Sequence, residues 1–458
     1  MARRESAAAG PGSRALVVDL IRSSGPISRV ELVKATGLTQ PTISNIVRRL
    51  IDDGVVRETG DTVATGGKPR TMLVINSRAA YGVGIHVGAD ALTCVVTDTR
   101  GGTVGRELVA GPGGGPGAGG GPGAGPDGPT RAGDPGPDGP GPGSDGPGPG
   151  SDGPGPGSDG PGSDGGAHDI VDRLAALYRD VTEGLGLEPQ SVAGLAVVGP
   201  GPVDVARGGF LAPPGLPHWA GRDLSAALAA RLGVPVLVDS DAAAATVGEF
   251  WGRQVSRERT FGCLYMNSGI GSGLVLDGSL HRGASSNAGK IGHVAVIRDG
   301  EPCPCGNRGC LEMYAAPRVM VGRARAVPGL AERLRIHPAD PDGRAFDVLA
   351  RAAVYGDEAA RALVDESAAL LAEGAVALAN LWDLDTLVLA GPGFAVAGSI
   401  YVSEIRRRLG ERAYTRDVHG VRVHLSSNPR DAAAIGGAAL VLQGSVAPGH
   451  GPQLAARA

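Results

Sequence analysis

With 458 residues, of which 42% are hydrophobic, the chain has material for several cores, and its formal net charge is only −4. No run of eighteen apolar residues lacks charges and Met1-Ala2-Arg3-Arg4-Glu5-Ser6 has no apolar signal core, so neither a membrane span nor a secretory leader is expected, and a cytoplasmic location is. Of five cysteines, Cys94 and Cys263 sit in apolar, strand-like runs and read as core thiols in a reducing compartment.

The chain opens on helical periodicity. Leu16, Val17, Leu20 and Ile21 share one face of a first helix that Gly25-Pro26 ends. Ser28-Arg29-Val30-Glu31 has the form of a capping box, starting a short helix with Val30, Leu32 and Val33 as its apolar positions. Gly37 supplies a turn. In the helix that follows, Thr39 is the cap, Pro41 is tolerated in the first turn, and Ile43, Ile46, Val47 and Leu50 face inward.

The outer stripe of that helix carries the chemistry. Gln40, Pro41, Thr42, Ser44, Asn45, Arg48 and Arg49, with the cap Thr39, offer short hydrogen-bonding groups and arginines, and no acidic residue interrupts Leu38 to Leu50. Such groups suit base edges and phosphates in a major groove. Val55 to Glu58 and Arg70 to Ile75 then read as a hairpin with a basic, glycine-rich tip, placing Lys68 and Arg70 against the sugar-phosphate backbone or minor groove. A helical adaptor with a solvated basic face is the competing reading, and the net +3 from Arg14 to Arg70 does not decide between them. The order helix, turn, helix, wing does, and assigns residues 13–76 to a winged helix-turn-helix that partners double-stranded operator DNA.

Residues 81 onward alternate strands and helices, an α/β pattern. Gly84 to Asp90 and Leu92 to Thr97 form a hairpin, after which Ala110 to Gly166 is almost wholly Gly, Pro, Ala, Ser and Asp. With no apolar side chain larger than alanine or proline to bury, that segment is expected to be a disordered insert. Its seven-residue repeat lacks the strict every-third glycine of collagen. The insert carries seven Asp and one Arg, which leaves the remaining chain at +2, so the acidic balance does not mark a binding face.

Beyond the insert, a helix from Ile170 to Leu187, a strand from Gly194 to Val198, a helix from Leu224 to Leu232 and a strand from Val234 to Val238 lead to Asp239-Ser240-Asp241 and an alanine-rich helix, Ala242 to Trp251. Asp241 thus stands at a strand's carboxyl end, where α/β folds keep ligands. Asn267 to Gly273 reads as a glycine-rich hairpin loop between strands Phe261–Met266 and Leu274–Leu276, and Ala390-Gly391-Pro392-Gly393 follows the strand Thr386–Leu389. Either loop could cradle an anion or be a plain turn.

His293, Cys303, Cys305 and Cys310 gather one imidazole and three thiols in eighteen residues. Three thiolates and a histidine make a structural Zn²⁺ set, since zinc takes four such ligands tetrahedrally. Cys303 and Cys305 are too close to bridge each other comfortably, while Gly306 and Gly309 let the chain return Cys310 to the same ion. Buried or oxidised cysteines beside an unrelated histidine are the weaker alternative.

The winged helix followed by Gly199-Pro200-Gly201-Pro202-Val203-Asp204, Ser240-Asp241-Ala242, Ser268 to Gly273, Gly289-Lys290-Ile291-Gly292-His293 and the cysteine cluster resembles the ROK family of repressors, open reading frames and sugar kinases. The resemblance implies a two-lobed, actin-like body of the sugar kinase and ribonuclease H-like kind over residues 80–445, zinc on His293, Cys303, Cys305 and Cys310, and a homodimer or homotetramer. It makes Asp241 the equivalent of the kinase base. Where the kinases carry Asp-x-Gly-Gly-Thr, this chain has His86-Val87-Gly88-Ala89-Asp90, which lacks the leading carboxylate and the hydroxyl for handling phosphate and metal. The family's sugar positions here read Gly215, Ser240, Asp241, Lys290, His293 and Glu312, three of them departing from the sugar-binding pattern. Lys290 either accepts an acidic or phosphorylated sugar, or pairs with Glu312 or Asp241 and closes the pocket. The expectation is a repressor of carbohydrate genes under a sugar effector, not an enzyme; the alternatives are a sugar kinase with an accessory DNA-binding domain and an effector-insensitive DNA-binding protein.

Overall fold

The computed structural model describes residues 11–63, 70–88, 90–111, 165–213 and 219–446. Lys68, Gly215 and nearly all of the Gly/Pro/Asp-rich insert lie outside the described residues.

The head comprises α1 (Pro11–Ser24), β1 (Ile27–Ser28), α2 (Arg29–Thr36), α3 (Gln40–Asp52), β2 (Val56–Val63) and β3 (Arg70–Ile75). Ser28 and Glu31 close the expected capping box on α2, and Gly37 ends it in the left-handed region at φ 70°. β2 and β3 pair antiparallel and β1 adds to β3, giving a three-stranded wing base over a core of Val17, Ile21, Leu32, Ile43, Val47, Leu50 and Leu73. Val30, expected on the inner face of α2, is instead 40% exposed, because only Leu32 of that short helix is fully buried.

The first lobe contains β4 (Tyr81–Val87), β5 (Ala91–Asp98), β6 (Thr103–Ala110), α4 (Gly165–Gly184), β7 (Val192–Gly199), β8 (Val203–Asp204), β9 (Gly209–Phe210), α5 (Leu224–Leu232), β10 (Val236–Ser240) and α6 (Asp241–Gly252). Ala110 still belongs to β6, and Gly165 and Gly166 already belong to α4, so ordered structure reaches slightly into both ends of the expected insert. The second lobe contains β11 (Phe261–Met266), β12 (Ile270–Leu276), β13 (Ser279–Leu280), α7 (Glu312–Ala315), α8 (Pro317–Ala326), α9 (Leu330–Leu334), α10 (Asp342–Val354), α11 (Glu358–Trp382), β14 (Thr386–Ala390), α12 (Gly398–Arg412) and β15 (Arg422–Leu425). α13 (Ala432–Val446) closes the described chain.

The first sheet runs β10-β7-β4-β5-β6, with β4, β7 and β10 parallel and β5 and β6 antiparallel. The second, β13-β12-β11-β14-β15, repeats that order and those directions. Two copies of one sheet plan make the two-lobed, actin-like body. The lobes also exchange helices: α6 leaves the first sheet to pack on β11 and β12, and α13 leaves the second to pack on β4, β5 and β7. The two helices cross where a Cβ on Gly248 would lie 2.8 Å from the Gly436 Cα, and one on Gly436 would lie 1.8 Å from the Ala244 carbonyl oxygen. Only glycine permits that approach.

One expected loop is a strand. Ile270 to Gly273 belong to β12, which lies under α6; a Cβ on Gly271 would come within 2.8 Å of the Ala242 Cβ, and one on Gly273 within 2.0 Å of the Thr246 Oγ1. These glycines serve helix-on-sheet packing, a non-local cause that a glycine-rich run does not disclose. Among the described residues no helix is long and apolar enough to cross a membrane.

Candidate DNA interface, metal cluster and effector cleft

On α3, Thr39 occupies the cap: its hydroxyl accepts from the Thr42 N–H at 3.4 Å and lies 2.8 Å from the Thr42 hydroxyl. Ile43, Val47 and Leu50 are buried, which turns Gln40, Pro41, Asn45, Arg48 and Arg49 out to solvent with Thr42 and Ser44 at the margins. A polar, basic ridge therefore stands on a stiff, well-anchored helix. Arg70 begins β3 opposite Val63, at the end of the hairpin nearest its tip, and bears on Glu31 electrostatically.

The ligand atoms of His293, Cys303, Cys305 and Cys310 all lie within 4.8 Å of one another, a grouping that could hold a metal ion. The His293 Nδ1 is 3.6 Å from the Cys303 Sγ, and the Cys305 and Cys310 sulfurs are 3.7 Å apart. A tight turn brings them together: Cys303 N–H donates to the Asn307 carbonyl and Gly306 N–H to the Cys303 carbonyl. Gly306 and Gly309 have φ of 92° and 71°, and a Cβ on Gly309 would fall 1.7 Å from the Ile297 carbonyl oxygen. Burial and the neighbouring thiols push the Cys310 thiol up to about 12, so a cation is what would ionise it at neutral pH. The donor set suits zinc, with no oxygen ligand to favour a harder ion.

Asp241 is the first residue of α6 at its cleft end, its Oδ1 accepting from the Ala242 N–H at 2.8 Å; Ser240, the N-cap residue, accepts from Ala243 N–H at 3.3 Å. Burial pushes the Asp241 carboxyl up to about 6, partly offset by the Lys290 ammonium. Lys290 donates its Nζ to the Gly201 carbonyl at 3.2 Å. It does not close the pocket onto Glu312, because that carboxylate accepts from the Ile270 N–H and from Arg318, each at 3.0 Å.

Two groups here were not singled out from sequence. Arg282 lies 2.8 Å from Asp239, whose side chain is fully buried, and Asn287 exchanges two hydrogen bonds with the Val203 backbone. Arg282, Asn287 and Lys290 all belong to the segment after β13 in the second lobe, and all three hold the first lobe. One strap thus spans the cleft. Only the run of polar residues at 282–290 hints at it in the sequence.

A folded pKa above the unfolded value means that Asp241 favours the fold when protonated, and that contribution is lost as pH rises through about 6. Asp241→Asn is expected to gain up to about 3 kcal/mol in urea unfolding at pH 8, a gain that shrinks through pH 6 and is nearly gone at pH 4.

At the other side of the cleft His86 is 5% exposed, and burial lowers its pKa to about 4, so the ring is neutral at pH 7. The nearby carboxylate, Asp431, is held in a two-pronged pair by Arg106 at 2.7 and 3.0 Å. The Gly391-Pro392-Gly393 turn packs on Met266, whose carbonyl oxygen would be 2.4 Å from a Cβ on Gly391.

The sequence profile of the ROK family matches residues 168–444, and a winged helix-turn-helix DNA-binding profile matches residues 16–57. The chain belongs to the ROK family. A Caldicellulosiruptor protein named putative xylose repressor is 23% identical to this ROK chain over 436 residues, covering 95% of it and 96% of the relative. A solved ROK family transcriptional regulator, described as a homolog of the E. coli MLC protein, matches with a TM-score of 0.66 at 21% identity over 96% of this chain and 97% of its own. A ROK family glucokinase from Streptomyces griseus, in complex with glucose and AMPPNP, matches with a TM-score of 0.59 at 24% identity over 80% of this chain and 100% of its own. These structural likenesses concern the fold of this ROK protein.

Proposed function

We propose that this ROK protein is a DNA-binding repressor of carbohydrate-metabolism genes, relieved by a sugar or sugar-derivative effector and without kinase activity. The observation that carries the reading is the exposed ridge Gln40, Pro41, Asn45, Arg48 and Arg49 on a capped helix joined to a ROK body, in a chain similar along nearly its whole length to a protein named as a repressor. In it α3 enters the major groove, aided by Thr39, Thr42 and Ser44, while Lys68 and Arg70 touch the flanking backbone.

Zinc is held by His293, Cys303, Cys305 and Cys310 and acts structurally, fixing the turn and the imidazole. With Nδ1 toward the thiols, Nε2 is the nitrogen left for a ligand, beside Ser240, Asp241, Lys290 and Glu312. Lys290 donates to a carbonyl rather than to Glu312 and acts on Asp241 only through its charge, which supports an effector that carries a carboxylate or phosphate. Effector binding shifts the population of lobe arrangements, which alters the spacing of two heads in a dimer or tetramer. Half-sites about one helical turn, roughly 34 Å, apart tolerate little misplacement.

Arg48→Ala is expected to weaken binding to a selected duplex about tenfold, roughly 1.4 kcal/mol and within the range for one such contact, while metal content stays at the wild-type level. Unchanged affinity would count against the interface. The rival reading, a hexose kinase, is favoured by Asp241 standing at the cleft. Against it, the strand end carries a neutral His86 where the kinases have their leading carboxylate, and the nearby Asp431 is taken up by Arg106, which weakens its means to organise metal and phosphates. Phosphorylation of a hexose from ATP by the purified chain would decide for the kinase.

A further inference from the structure

We propose that Arg22 is the positioning residue through which the cleft and the DNA-reading head act on each other; this rests on the repressor reading above. Arg22 lies on α1 of the head, yet its side chain is only 2% exposed, because it is buried in the body. Its Nη1 donates to the Trp251 carbonyl at 2.9 Å and its Nη2 to the Val255 carbonyl at 3.3 Å. The guanidinium also lies over two rings of α6, 5.3 Å from the Phe250 centroid and 4.8 Å from that of Trp251. From the head side, Asp19 fixes it through Nε at 3.2 Å and Nη2 at 2.7 Å.

Each of these contacts exploits a different property of the guanidinium. Its fork satisfies carbonyls at the carboxyl end of α6, where the helix dipole favours a cation, and its plane stacks on the aromatic faces. An ammonium cannot do all of this at once.

The far end of the same helix is Asp241, in the cleft. Twelve helical residues span about 18 Å, and α6 is wedged between the lobes at the Gly248–Gly436 crossing, so any change in lobe closure that moves α6 carries Trp251 and Arg22 with it. A second line runs in parallel: Trp251 Nε1 donates to the Thr99 carbonyl at 3.4 Å, the Thr99 hydroxyl to the Asn76 carbonyl at 2.5 Å, and the Asn76 side chain to the Gly54 carbonyl at 2.8 Å, just past the end of α3. Trp251 therefore meets the first helix directly through Arg22 and is linked to the residue just past α3 through Thr99 and Asn76.

Coupling between sites is reciprocal, so DNA on the head must be felt in α6 just as a ligand in the cleft is felt in the head. The test uses the full chain and a duplex that the wild-type protein selects from a random-sequence pool. On adding that duplex, amide exchange in α6 is expected to slow in the wild type. Arg22→Ala is expected to bind the duplex about tenfold more weakly and to lose the α6 response, an effect that removing a merely structural anchor would not produce. Arg22→Lys keeps the charge and the stem without the planar fork; it is expected to lose the response as well and serves if the alanine variant does not fold.

A wild-type α6 that ignores bound duplex, or a response undiminished in the substituted chains, would overturn the role of Arg22 while leaving DNA binding intact. Failure of the wild type to select any duplex would instead remove the repressor reading, and this inference with it.

Discussion

Replacing Cys310 with serine is expected to empty the proposed zinc site, taking zinc from one equivalent per chain to none by elemental analysis of the dialysed protein. The expectation rests on where Cys310 sits. It is fully buried, its sulfur lies 3.7 Å from that of Cys305 and within 3.5 Å of the His293 carbonyl, and it is followed directly by Leu311 in the core. A serine hydroxyl is a poor zinc ligand at neutral pH, and the remaining three donors do not complete a tetrahedron. Because structural zinc binding is coupled to folding, the loss also loosens the turn that holds His293 and Glu312. Glu312 would then release the Ile270 N–H at the start of β12. Full zinc occupancy in the Cys310→Ser chain would show that the cluster is not the metal site.

A comparably large effect is expected from one methyl group at the helix crossing. Gly436→Ala places a Cβ 1.8 Å from the Ala244 carbonyl oxygen and beside the Ala245 N–H, both main-chain atoms of α6. No rotamer change relieves a clash of backbone with backbone, so the helices must separate. Overpacking in cores costs 1–3 kcal/mol and sometimes more, and this contact belongs at or above the top of that range, about 3 kcal/mol in urea unfolding. Total stabilities are of order 5–15 kcal/mol, so a loss of that size endangers the fold. Gly410→Ala on the exposed end of α12, where a Cβ meets nothing within 4 Å, is the matched control and should cost nothing.

What could be read in advance divides by the range of the interactions involved. The capping box at Ser28 and Glu31, the turn at Gly37 and the outward stripe of α3 follow from neighbours within a few residues, and they appear where the spacing puts them. The cysteine turn was legible for the same reason, since its glycines and ligands lie within one short loop. Long-range contacts were not legible. Arg22 reads as one more basic residue of a basic head until the body's two rings and two carbonyls are seen around it. A pair between Lys290 and Glu312 was one of the alternatives the sequence left open, and it is Arg318, six residues on, that pairs with Glu312. Gly271 and Gly273 looked like loop residues because nothing nearby in the chain reveals that α6 lies on top of them. Burial at Val30 failed for a related reason: a helix of eight residues presents too narrow a face to cover every apolar side chain it carries.

The swap of α6 and α13 between the sheets bears on how the chain is made. The inner face of the first sheet, with Ala196, Val198 and Leu237, is roofed by residues 432–446, the last described stretch to leave the ribosome. During synthesis that surface stays open while some two hundred further residues are added, so the first lobe cannot finish on its own. A nascent chain cut short just before α13 would lose the roof of its first lobe, so a premature stop there should be as damaging as one far upstream.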